Sequence, residues 1–186
     1  MDRRKALKNV AVLLGTALSS STIGVLFESF TLPEDEKNQV FFSGTNEEIL
    51  AEFADIIIPT TKLSPGAKTA GVGAFISMMI KDCYPASMQY EFASGLQEME
   101  TKAIKDYNKS FLTLSNEQRQ KIVGDLRTET IDKKQTYSFF TIARDLTLLG
   151  YFSSEIGSTQ AREYLPIPGR YDGNVEYKPG QKAWAT

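Results

Sequence analysis

Phe139-Phe140-Thr141-Ile142-Ala143-Arg144-Asp145-Leu146-Thr147-Leu148-Leu149-Gly150-Tyr151-Phe152-Ser153-Ser154-Glu155-Ile156-Gly157 is the stretch on which the fold turns. Phe139, Phe140, Ala143, Leu146, Thr147 and Gly150 recur at three- and four-residue steps, so they line one stripe of a helix. Gly150 reads as its C-cap, with Tyr151-Phe152 folding back on the stripe. Ser153 or Ser154 then caps a further helical turn ended by Gly157. Beyond it, Pro166, Pro168, Gly169 and Gly173 set an irregular route for an aromatic-rich tail.

The same helical rhythm extends upstream. Thr45-Asn46-Glu47-Glu48 reads as a capping box ahead of a stripe of Ile49, Leu50, Phe53, Ile56 and Ile57, which Pro59 stops. A loop over Thr60 to Gly71 follows, of a size that often carries contacts. Val72, Phe75, Ile76, Met79 and Ile80 form the next face, and Pro85 can open another helix. Along that helix run Met88, Phe92, Leu96, Met99, Ala103 and Tyr107, and the methionines read as core. Ser115-Asn116-Glu117-Gln118 is a second capping box, before Ile122, Val123 and Leu126. Thr128 to Gln135 reads as the linker into the aromatic helix. Period-two alternation, hairpin dipeptides and internal repeats are absent. The expected fold is mostly α: a single helical domain with an irregular C-terminal tail.

Composition narrows the chemistry. The chain has 186 residues, 41% hydrophobic, with a net charge of -2, which suits one globular domain plus a leader. Its basic residues are scattered and matched by acids, so nucleic acid is not an expected partner. There is no histidine, which removes the usual general base and the commonest metal ligand. The single cysteine, Cys83, cannot build an internal disulfide, a thiolate metal cluster or a haem attachment, and it reads as a buried structural thiol. Gly71-Val72-Gly73 lacks the third glycine and the preceding strand of a dinucleotide fingerprint. Glu34, Asp35 and Glu36 lack calcium-loop spacing. No cofactor or metal is expected in this chain.

At the N-terminus, Arg3-Arg4 with Leu7 and Lys8 precedes a moderately apolar run from Val10 to Leu18. That arrangement resembles a twin-arginine export signal, which carries folded cargo across the bacterial inner membrane. An ordinary secretory signal or a basic helix start is the alternative. Cleavage near Ser19 fits the small residues there. Read as uncleaved, the segment approaches the ~20 residues that span a bilayer, interrupted by a Ser/Thr run and Glu28. The expected division is a leader over residues 1–32 and a helical domain over 33–186.

A catalytic reading would rest on Glu155 beside Tyr151, as a carboxylate held in an apolar pocket. The preferred reading makes Glu155 a helix cap or a partner of Arg144 or Arg162. Arg144 with Asp145 reads as an ion pair or interface anchor. Arg144, Tyr151, Tyr164, Arg170, Tyr171 and Trp184 are of the types enriched at interfaces, with core packing an equal alternative for Tyr151 and Tyr164.

The run Leu146 to Gly157, then Tyr164, then Ile167-Pro168-Gly169-Arg170-Tyr171-Asp172-Gly173, and finally Gly180 to Trp184, resembles the gluconate 2-dehydrogenase subunit 3 family. Upstream, Ala54 to Thr60, Pro65-Gly66-Ala67 and Ala70-Gly71-Val72 extend the likeness, which spans most of Glu48 to Trp184. Asn174 departs from it, standing where many relatives are expected to carry Cys. The resemblance implies a non-catalytic small subunit. Its partner would be a large FAD-dependent dehydrogenase of the glucose-methanol-choline type that oxidises a sugar, sugar acid or glycoside and passes electrons to a cytochrome c or another acceptor. It also implies a periplasmic location, reached through the twin-arginine translocase, with membrane association through an uncleaved leader or a partner. The expected interface residues are Arg144, Asp145, Tyr151, Glu155, Tyr164, Pro168, Gly169, Arg170, Tyr171 and Trp184. Two rival readings are an envelope scaffold without a dehydrogenase partner and a stand-alone enzyme built on Glu155 and Tyr151.

Overall fold

The computed structural model describes residues 44–132, 137–167, 169, 173–174 and 176–185. The chain divides into two units, Met1–Gln39 and Val40–Thr186, and the first lies outside the described residues. So do the leader residues Arg3, Arg4, Leu7 and Lys8, and the tail residues Pro168, Arg170 and Tyr171.

Among its described residues the second unit has five α-helices: α1 (Gly44–Ile57), α2 (Val72–Cys83), α3 (Ala86–Tyr107), α4 (Asn116–Asp132) and α5 (Phe139–Ser153). A 3-10 turn, Phe111–Thr113, sits between α3 and α4, and a π turn, Gly157–Ala161, follows α5. The described residues contain no strand, only one isolated parallel bridge between Glu163 and Trp184. The fold is mostly α, as the periodicities require.

α5 is the central element, packed against each of the other four helices. Its buried residues are Phe139, Phe140, Ile142, Ala143, Leu146, Thr147, Gly150 and Tyr151, a face wide enough to meet neighbours on several sides. Phe53 of α1 meets the rings of Phe139 and Phe140 edge-on at 5.7 and 6.1 Å, while Phe92 of α3 lies 4.9 Å from Phe139. Ser138 caps the helix by accepting from the Thr141 amide at 3.2 Å.

Gly150 is not the C-cap. α5 runs three residues past it to Ser153 and is closed by Ser154, whose amide donates to the Gly150 and Tyr151 carbonyls. Glycine stands at 150 for space: a Cβ there would lie 2.5 Å from the Phe75 ring of α2. Tyr151 and Phe152 accordingly form the last helical turn instead of folding back. Ser154 does cap the next turn, accepting from the Gly157 amide at 3.1 Å, but Gly157 begins the π turn and does not end it.

Other boundaries shift for similar reasons. α1 starts at Gly44, so Thr45 lies inside its first turn and not at the cap, and Glu47 instead accepts from the Ser77 hydroxyl of α2 at 2.9 Å. The box at Ser115 forms as expected: its amide donates to Gln118 Oε1 at 3.0 Å, and the Gln118 amide donates back to Ser115 Oγ at 3.4 Å. α4 continues to Asp132 through the expected linker, with the Thr128 and Thr130 hydroxyls bonding back to the Gly124 and Leu126 carbonyls. Cys83 is exposed, not buried, because α2 ends there and the buried stripe closes at Ile80.

Two polar residues tie the helices together. Gln89 is buried, and its amide donates to the Lys81 and Tyr84 carbonyls at 3.0 and 2.9 Å, satisfying the end of α2 from the first turn of α3. Arg119 of α4 donates to the Phe111 carbonyl at 3.0 Å and to the Leu112 carbonyl and Glu52 of α1 at 2.5 Å each. Lys68, from the α1–α2 loop, holds the other oxygen of Glu52 at 2.5 Å. These half-buried charges pin α1, the loop and α4 to the 3-10 turn, and each charge has a partner to offset its desolvation.

Candidate partner-binding surface

The expected site residues that are described do not share one place. Tyr151 belongs to the core at 1% exposure; its hydroxyl donates to the Pro65 carbonyl at 2.8 Å and lies 3.3 Å from Ser64 Oγ. It thereby fixes the loop between α1 and α2 and offers no contact surface to a partner. Arg144 and Asp145 are exposed on the outer side of α5 and pair with each other at 2.6 Å. Tyr164, Gly169 and Trp184 are exposed in the tail.

Glu155 is exposed, so the apolar pocket required by a raised-pKa carboxylate is not there. Its supposed partner Arg162 turns elsewhere. The Arg162 guanidinium stacks 4.9 Å from the centre of the Phe152 ring and donates to the Phe152 carbonyl. Asp145 contributes to another environment, that of Tyr84: burial pushes the Tyr84 phenol above its ordinary pKa, and the negative charges of Asp145 and Cys83 add to the effect.

The last described residues pair with the segment that follows the π turn. The Glu163 amide donates to the Ala183 carbonyl, and the Ala185 amide to the Glu163 carbonyl, both at 2.9 Å. Trp184 is thus paired with Glu163.

The sequence reading missed the outer stripe of α5. After Arg144 and Asp145 come Leu148, Leu149 and Phe152, three apolar side chains exposed on the same face at helical spacing. A helix apolar nearly all round reads as fully buried. Only the packing of its other sides against four neighbouring helices shows which stripe of α5 stays uncovered.

Elsewhere, a cavity of about 490 Å³ lies between α3, α4 and the start of α5, lined among others by Glu91, Glu98, Glu129, Tyr137 and Phe139. Glu129 is held by Lys102 at 3.4 Å, and Ser94 donates weakly to Glu98 at 3.5 Å. Among the described residues no group of His, Cys, Asp and Glu side chains is arranged to hold a metal ion, and no helix is long and apolar enough to cross a membrane.

A family model described as gluconate 2-dehydrogenase subunit 3 matches residues 45–169. That match contains the five helices but for Gly44, together with the Tyr151–Pro65 tie and the apolar stripe of α5; it stops short of Trp184, to which the motif reading extends the likeness. No curated protein and no solved structure matches the chain. With roughly two-thirds of its length under that family model, the chain belongs to the gluconate 2-dehydrogenase subunit 3 family.

Proposed function

We propose that this chain is the non-catalytic small subunit of a periplasmic FAD-dependent dehydrogenase acting on a sugar, sugar acid or glycoside. The observation that carries the reading is the family match, which supports an accessory role in a dehydrogenase complex. The catalytic partner is a flavoprotein of the glucose-methanol-choline type, with a cytochrome c or another acceptor downstream. FAD resides in that partner. The exposure of Glu155 and the burial of Tyr151 weigh against the stand-alone enzyme, whose acid–base pair would need both side chains at one accessible pocket.

The subunit's work is physical: it binds the catalytic chain, assists its folding and supplies the export signal. A flavoprotein that folds around its cofactor before export needs a route that accepts folded cargo. Arg3-Arg4 gives the pair that route. Of the expected interface residues, Arg144, Asp145, Glu155, Tyr164, Pro168, Gly169, Arg170, Tyr171 and Trp184 remain assigned to partner binding, and only the buried Tyr151 is withdrawn.

Changing Arg3→Lys together with Arg4→Lys tests the escort role by cell fractionation. The expected result is that this chain and the dehydrogenase activity both stay in the cytoplasm. Export of the dehydrogenase at the wild-type level would refute it.

A further inference from the structure

We draw no further inference here: the strongest candidate, the cavity between α3, α4 and the start of α5, rests on a cluster of carboxylates, Glu91, Glu98 and Glu129, of which Lys102 already holds the last, with no second observation in the structure that points to a ligand there.

Discussion

Replacing Phe53 with alanine is expected to lower the free energy of unfolding by about 3–5 kcal/mol, the range for truncating a fully buried aromatic ring. Phe53 has no exposed surface and stands edge-on to both Phe139 and Phe140. Its loss removes the transfer energy of the ring and two aromatic contacts worth about 0.5–1.5 kcal/mol each. It also leaves a cavity where α1 meets the central helix, whose neighbours are themselves locked by packing. A domain of this size is stable by only about 5–15 kcal/mol, so the variant should unfold at markedly lower denaturant with an unchanged slope. Phe53→Leu, which keeps most of the volume, should lose far less. A loss below about 1 kcal/mol for the alanine variant would mean that α1 and α5 are not packed as described.

Gly157→Ala should be nearly as damaging, for the opposite reason. A Cβ at that position would lie 1.9 Å from the Tyr151 carbonyl oxygen, 2.7 Å from its carbon and 3.0 Å from the Phe152 Cα. All three are backbone atoms, so no side-chain rotation relieves the contact and the turn itself must move. Overpacking of this kind costs about 1–3 kcal/mol. Here it should also part Arg162 from Phe152 and release the Glu163–Trp184 pairing. Gly124 in α4 supplies the comparison, since nothing lies within 4 Å of a Cβ there. Gly124→Ala should stabilise the helix by about 0.5–1 kcal/mol. The two alanine variants are therefore predicted to move in opposite directions in the same denaturation experiment, and equal shifts would contradict the close approach at Gly157.

How far the chain could be read in advance depended on whether a residue's role was local. The stripe Phe139 to Thr147 and the Ser115–Gln118 box are set by neighbours three and four positions away, and both stand where the spacing puts them. Gly150 was misread because a glycine ending an apolar stripe looks like a cap, whereas its actual reason, the Phe75 ring, lies on another helix. Gln89 was invisible for the same reason: it fills a core position because the α2 carbonyls arrive there. Arg119 did leave a trace. A cation in the first turn of a helix opposes the helix dipole, so it calls for a partner elsewhere, which Glu52 and two carbonyls provide.

The surface followed the same logic. Tyr164 and Trp184 could be suspected from residue type, and Tyr151, of the same type, turned out to be core because its hydroxyl finds the Pro65 carbonyl. Leu148, Leu149 and Phe152 carried no sign of exposure, since period and hydrophobicity are alike for a buried stripe and an uncovered one. Family membership adds what neither stripe nor composition could, namely a place among the gluconate 2-dehydrogenase subunit 3 proteins.

The most direct test of that account is purification of the chain from its native host under mild conditions, with the flavin spectrum and sugar oxidation assayed before and after the components are separated. Activity and flavin should travel with a larger companion, leaving this chain colourless and inert towards sugars. Turnover of a carbohydrate by the separated chain, lost on Glu155→Gln, would contradict it.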